Sequence, residues 1–291
     1  MHLPHFEYSA PASVEELVAL LKEHGEAAKI LAGGTDLLPQ MLRRDTKASH
    51  LLDLQHIAPL KRLSYEQGIG LTMGAAVTIE QLAASEVIKT CYHALYQGAQ
   101  AIGSPQVRAM ASIGGNSCNA SPCADTPPPL IALGATVELV SHRGKRKLPL
   151  EEFILGNREV ALARDEVLES FHVPQPSPAS ASRYTQFGHR AAMEINLGAV
   201  AVHCAVEPAS RRVTELRIVM GSVAPTPLRA RRAEAALLGN LPSNALIDQS
   251  AALCAEEAQP IDDLRASAEY RRDLVAALFR RTFREALAAI G

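Results

Sequence analysis

The chain has no tryptophan, and phenylalanine and tyrosine supply only 4% of its residues, so its core must be built from aliphatic side chains. The five cysteines, Cys91, Cys118, Cys123, Cys204 and Cys254, form an odd set with no C-x-x-C spacing. That pattern excludes a disulfide framework and a self-contained zinc or iron–sulfur cage, so reduced thiols are expected. Neither sign of charge dominates: 29 Lys and Arg face 31 Asp and Glu, for a formal net charge of -2. There is no broad positive field to hold a phosphate backbone, and nucleic acid is not an expected partner. No uninterrupted apolar run is long enough to span a bilayer. Residues 1–10 carry Pro4 and Glu7 where a signal peptide needs a basic start and an apolar stretch, so a cytoplasmic protein is expected.

What is present reads as an ordinary globular chain of 291 residues, 47% hydrophobic and 21% charged, long enough for two domains. Ser13 and Glu16 are spaced as a capping box ahead of apolar residues at helical intervals, and Gly25 is placed to end that helix. A short apolar strand at 28–32 runs into Gly33-Gly34-Thr35-Asp36, and 51–54 reads as another strand, which makes the first 55 or so residues a small α/β lobe. A second unit starts with a strand at 69–73, a helix cap at Thr78 with Gln81 three residues on, and helical stretches to about Ile102. Residues 103–129 are rich in glycine, proline and serine with little periodicity, and are expected to form a long functional loop. A hairpin is expected over 136–150, turning at 141–144, and a strand over 166–173. The prolines at 174–178 mark a domain boundary. Beyond it, 184–187, 198–206 and 213–219 suggest an antiparallel sheet, and helices follow from about Leu228. In the last helix Leu274, Leu278, Phe279, Ala286 and Ala289 form the apolar stripe, with Arg271, Arg272, Arg280, Arg281 and Arg284 expected on a solvated face.

Two segments carry the candidate chemistry, 31–37 (LAGGTDL) and 112–125 (SIGGNSCNASPCAD). Each Gly-Gly pair permits positive φ and leaves no Cβ, so that consecutive N–H groups can converge on an anion, with Thr35, Ser112, Asn116 and Ser121 adding short polar side chains. Neither is a G-x-G-x-x-G fingerprint or a P-loop, which removes the standard NAD-Rossmann and ATPase readings. No Ser-His-Asp order, paired carboxylates or metal-ligand spacing stands out, so no catalytic acid, base or metal ligand is assigned. The residues by themselves point to a two-lobed protein holding a nucleotide cofactor of unspecified type.

At these residues the chain resembles the FAD-binding subunits of the xanthine dehydrogenase and carbon monoxide dehydrogenase family of molybdenum hydroxylases. The marks are AGGTDL at 32–37, SIGGN at 112–116, the run 119–125, and Arg190 with Glu194 and Ile195. The resemblance implies an α+β chain: a two-lobed FAD-binding domain of the vanillyl-alcohol-oxidase (PCMH) type over 1–176, with lobes of about 1–57 and 58–176. A smaller C-terminal domain of antiparallel sheet plus helices would follow over 177–291. It places FAD between the two lobes, within 31–37 (Leu31, Ala32, Gly33, Gly34, Thr35, Asp36 and Leu37), the pyrophosphate resting on the backbone of Ala32 to Thr35. Ser112, Gly115, Asn116 and Ser121 hold more of the cofactor, Asp125 binds the ribityl chain, and Leu168 also lines the site. Ile102 and Ile195 lie against it, Ile195 close to the isoalloxazine ring. Gln186 stands where many relatives have Lys, one positive charge fewer near the flavin. Some relatives carry an extra four-iron cluster, for which Cys118 and Cys123 do not supply the four thiolates.

The implied function is electron relay: a large partner subunit bears the molybdopterin cofactor, a small one bears two [2Fe-2S] clusters, and FAD in this chain passes electrons to NAD or another acceptor. A dimer of heterotrimers is the implied assembly. Two other readings stand beside it. One is a self-contained FAD-dependent oxidoreductase of the same fold, with Glu194 and His189 as proton-transfer candidates. The other is a non-enzymatic nucleotide-binding module whose glycine turns are structural. Purines, other N-heterocycles, aldehydes and aromatic thioesters all remain open as substrates of the holoenzyme.

Overall fold

The computed structural model describes residues 2–190 and 192–291. The chain begins with β1 (Glu7–Ser9), α1 (Val14–His24), β2 (Ala28–Leu31), α2 (Leu37–Arg43) and β3 (His50–Asp53), and the three strands form a parallel sheet in the order β1-β3-β2. Helix α1 starts as its spacing predicts. Ser13 Oγ accepts from Glu16 N at 3.1 Å, and Glu16 Oε2 accepts from Ala12 N at 2.8 Å, one residue earlier than in a strict capping box. Gly25, at φ +52°, closes it. Val14, Leu17, Val18 and Leu21 are buried against Leu52, Leu54 and Ile57, so the lobe has its own small core.

The next part contributes β4 (Leu63–Glu66), β5 (Gly70–Gly74), α3 (Ile79–Ala84), α4 (Glu86–Cys91), α5 (His93–Ala101), α6 (Pro105–Met110), α7 (Ile113–Asn119), α8 (Pro127–Ala132), β6 (Thr136–Ser141), β7 (Gly144–Pro149), α9 (Leu150–Phe153), β8 (Ile154–Gly156), β9 (Glu159–Val160) and β10 (Val167–Pro174). Five of these strands form an antiparallel sheet in the order β4-β5-β10-β6-β7. The capping box at Thr78 and Gln81 is formed in both directions. The expected long loop at 103–129 is instead largely helical, comprising α6, α7 and the first turn of α8. Helices of six or seven residues are too short to display a 3.6-residue period, and their signals are the caps. Ser104 and Ser112 each accept from a backbone N–H three residues on. Pro127, Pro128 and Pro129 occupy the first turn of α8, where N–H groups have no intrahelical acceptor to lose.

The remaining sheet comprises β11 (Ser180–Phe187), β12 (Gly198–Val206), β13 (Val213–Gly221) and β14 (Leu228–Arg229), antiparallel and paired in that order, followed by α10 (Arg231–Leu237), α11 (Asn244–Glu257) and α12 (Ala268–Ile290). All nine residues of β12 are buried. Its alternate faces serve two cores: Val200, Val202, Cys204 and Val206 meet Val275, Phe279 and Phe283 of α12, whereas Ala199 and Ala201 join the core around α5 and α8. A strand covered on both faces has no polar alternation, which is why 198–206 reads as a continuous apolar run.

Helix α12 departs from expectation at two positions. Ala289 is exposed, while Arg271 is only 4% exposed and belongs to the buried side. Its Nη1 donates to Leu197 O at 3.0 Å and to Ser222 O at 3.4 Å, and Nη2 donates to Asp263 at 2.8 Å. Among the described residues no helix is long and apolar enough to cross a membrane.

Candidate functional site

A cavity of about 440 Å³ opens between the three-stranded lobe and the helices and sheet of the second part. That volume lies in the range of small-molecule and cofactor sites. Ala32, Gly33, Gly34, Thr35, Asp36 and Leu37 form one wall, Ser112, Gly115 and Asn116 another, and Leu168 a third. The structure thus brings together ten of the residues singled out from the sequence.

The first glycine segment is built as a backbone cradle. Residues 33–37 donate their N–H groups to no acceptor among the described residues, while Leu38 N already closes on Gly34 O at 3.1 Å. Gly34, at φ +70°, turns the chain so that this can happen. Gly33 is required for a different reason: a Cβ there would lie 1.8 Å from Met110 O, so the cradle is pressed against the end of α6. A row of free backbone donors in a partly enclosed site favours an anion. Asp36 adds a carboxyl that burial holds above its usual range, against the pull of Arg158 and Arg43.

The second glycine segment is not a second cradle, which corrects the sequence expectation. Neither Gly114 nor Gly115 has positive φ, and both sit within α7. Their N–H groups are already committed: Ile113 N to Val77 O, Gly114 N to Ala75 O and Gly115 N to Ser112 Oγ. Gly114 serves close packing, since its Cβ would meet Ala75 O at 2.6 Å, whereas a Cβ on Gly115 would meet only the neighbouring Ser112 Oγ at 3.0 Å. Gly115 therefore leaves cavity space rather than helix-packing space. Asn116 Oδ1 accepts from Thr126 Oγ1 at 2.6 Å, and its amide NH₂ donates to nothing among the described residues. Ser112 and Asn116 thus face the cavity with donor capacity still unused.

Sequence reasoning missed the strap at 160–166. Val160, Leu162, Ala163, Arg164 and Glu166 all line the cavity, as do Lys29, Gln40 and Asn119. Arg146 pins the strap, reaching both Glu166 oxygens at 2.7 Å and Ala161 O at 2.6 Å. Glu166 also accepts from Ala163 N at 2.8 Å, and the Arg146 guanidinium holds its carboxyl below the usual range. Arg164 pairs with Glu26. Nothing in the spacing of these residues signals the strap, because its partners come from elsewhere in the chain: Arg146 from β7 and Glu26 from the first lobe. Cys118 lines the cavity too, and burial pushes its thiol up to about 12, far from thiolate reactivity at neutral pH.

Six other expected residues do not line this cavity. Leu31 packs with Met41, Ala48 and Leu51. Ile102 is half-buried, its carbonyl accepting from Arg108 at 3.3 Å, and Ser121 Oγ accepts from Cys123 N at 3.4 Å. Gln186 Oε1 is enclosed with no donor among the described residues, while Ile195 is exposed beside Glu194. Asp125 is buried and bonded to Tyr184 Oη and Asn196 Nδ2. Burial pushes the Asp125 carboxyl up to about 6, with the Tyr184 and Asn196 bonds pulling the other way. A carboxyl with a raised native pKa favours the folded state most at low pH and loses that contribution as pH rises through the native value. Stability of the wild type relative to Asp125→Asn should thus fall by about 3 kcal/mol between roughly pH 4 and pH 6, as urea denaturation at each pH would show.

Two family models match the chain in succession: the FAD binding domain in molybdopterin dehydrogenase over residues 4–176, and the CO dehydrogenase flavoprotein C-terminal domain over 182–286. The chain belongs to the FAD-binding medium subunits of the xanthine dehydrogenase and carbon monoxide dehydrogenase family. It is 33% identical over 288 residues to the xanthine dehydrogenase FAD-binding subunit of Escherichia coli, covering 98% of this chain and 97% of that one. A carbon monoxide dehydrogenase structure from Hydrogenophaga pseudoflava superposes with a TM-score of 0.94 at 33% identity, covering 99% of each chain. Quinoline 2-oxidoreductase from Pseudomonas putida 86 does so with a TM-score of 0.92 at 28% identity, covering 100% of this chain and 99% of that one. As a medium FAD subunit of the molybdenum hydroxylase type, this chain is an oxidoreductase subunit, and its α+β architecture is that of the family. The first match spans every residue that lines the cavity.

Proposed function

We propose that this chain holds FAD in the cavity and acts as the electron-relay subunit of a three-component molybdenum hydroxylase. The observation that carries the reading is the cradle of unpartnered N–H groups at 33–37, which fits a pyrophosphate, facing a wall where Gly115 leaves room and Ser112 and Asn116 keep free donors. Ala32 to Thr35 would hold the pyrophosphate. Leu168 and the 160–166 strap would cover the apolar portion of the nucleotide, and Asp125 would face the ribityl chain. Gln186, Ile102 and Ile195 are assigned to the flavin end. Bound FAD supplies the redox chemistry, taking electrons singly and passing them on as a pair. The chain's residues bind, orient and shield it. We assign 1–176 to the FAD-binding domain and 177–291 to the C-terminal domain.

The proposed partners are a large subunit with the molybdopterin cofactor and a small subunit with two [2Fe-2S] clusters, assembled as a cytoplasmic dimer of heterotrimers, with NAD or another acceptor receiving the electrons. Relatives named for xanthine, carbon monoxide and quinoline share this chain's architecture, so its fold does not select the substrate. The proton-transfer candidates of a self-contained enzyme favour the relay reading. Glu194 is held by Arg190 at 2.7 Å with its carboxyl below the usual range, and His189 is bonded to Arg265 O at 3.1 Å. Neither is set up as a base near the cavity.

The test is purification of the tagged chain from its native host. Expected are one FAD released per chain on denaturation and two co-purifying subunits containing molybdenum and iron. A colourless chain after expression with ample flavin would defeat the FAD assignment, and a flavin-loaded chain without metals or partners would defeat the relay assignment.

A further inference from the structure

Asp125 lies between α7 and α8, yet the donors that hold it come from the C-terminal sheet region. The phenol of Tyr184, on β11, donates to Oδ1 at 2.7 Å, and Asn196 Nδ2 donates to the same oxygen at 2.8 Å. Asn196 is fixed in turn, because its Oδ1 accepts from the Ser222 hydroxyl. Asp125 Oδ2 accepts no hydrogen bond among the described residues, and no Lys, Arg or His pairs with this carboxylate. A carboxylate offers about four acceptor sites over its two oxygens. Donors placed only to satisfy a buried carboxyl would be shared between them, whereas here both meet one oxygen. The next residue, Thr126, donates to cavity-lining Asn116, which puts Asp125 beside the site's wall.

We propose that Tyr184 and Asn196 are positioning residues that fix Asp125 through Oδ1 and keep Oδ2 free for a ligand hydroxyl, that of the ribityl chain. The inference rests on the FAD reading and adds to it that the C-terminal sheet, which lines none of the cavity, sets the charge and direction of an anchor in the FAD-binding domain. Burial raises the Asp125 carboxyl while the Tyr184 and Asn196 bonds favour its ionised form. The titratable group facing it is the Tyr184 phenol, itself raised by burial, by Asp125 and by Cys123. Hydroxyls donating to Oδ2 likewise favour the ionised form, so FAD affinity rises with pH through the carboxyl's value in the free protein.

The test is FAD titration of the deflavinated full chain from pH 5 to pH 8. Wild-type affinity is expected to fall below about pH 6. Tyr184→Phe keeps the ring and removes one donor, so its midpoint should move up by about one unit: binding roughly tenfold weaker than wild type at the acid end of the titration, about fivefold weaker near pH 6, and converging with wild type at pH 8. Asn196→Ser should shift the midpoint in the same direction, and Asp125→Asn should lose the rise through about pH 6, leaving only the opposite effect of Asp36, whose ionisation beside the cradle disfavours an anion. A Tyr184→Phe curve with the wild-type midpoint, whether uniformly weakened or unchanged, would show a merely structural role and overturn the proposal, as would an Asp125→Asn variant that keeps the wild-type pH dependence. A wild-type chain that binds no FAD at any pH would defeat the FAD reading first, and this inference with it.

Discussion

One added methyl group at Gly33 is expected to abolish flavin retention and to destabilise the chain by about 3 kcal/mol or more, an overpacking cost at the high end because the atoms struck are all backbone. In Gly33→Ala the new Cβ would fall 1.8 Å from Met110 O and 2.5 Å from Met110 C. No rotamer relieves such a contact, so the cradle at 33–37 and the end of α6 must separate, and the row of free N–H groups is lost with them. Gly115→Ala is the informative contrast. Its Cβ meets only Ser112 Oγ at 3.0 Å, so the fold should survive with a melting temperature within a few degrees of wild type while FAD affinity drops at least tenfold. Thermal melts read beside flavin-to-protein ratios separate the two cases. Equal flavin loss with equal destabilisation in both variants would mean that Gly115 is a packing residue and not a cavity wall.

The second large effect is expected at Arg271, which does not line the cavity. Its guanidinium is bonded to two carbonyls and to Asp263, and is almost fully buried. Arg271→Met should cost about 2–5 kcal/mol, because the buried carbonyls Leu197 O and Ser222 O both lose their donor, at about 1–3 kcal/mol each. Arg271→Lys should recover only part of this, since an ammonium cannot span a fork that needs two nitrogens. Chemical denaturation midpoints decide the matter, and a loss below 1 kcal/mol in the Met variant would show that water replaces the guanidinium. Ser222 also bonds Asn196, so this region supports the Asp125 arrangement from behind.

Much of the architecture was legible because local physics repeats along the chain. Ser13, Thr78 and their partners mark helix starts through bonds that close within three or four residues. The apolar run of β12 marks a strand covered on both faces. The helices at 105–119 were hidden, since six or seven residues show no period and a serine cap resembles a loop serine. Arg271 was hidden for a complementary reason: an arginine among four others on one helix gives no sign of which will find carbonyls and a carboxylate to enter with.

The candidate site divides in the same way. The glycine segments, their separation and the family marks are properties of the sequence, and they pointed to an FAD-type site and to ten of the residues that line the cavity. The tertiary structure decided what each glycine is for. Positive φ at Gly34 is a local matter, but the need for glycine at 33 and 114 comes from Met110 and Ala75, packed against them by folding, and the openness at Gly115 comes from the cavity. It also decided that one segment keeps its N–H groups free while the other spends them on Val77, Ala75 and Ser112. Hydrogen-bond supply and steric contact depend on which distant atoms arrive, and only the folded chain sets that.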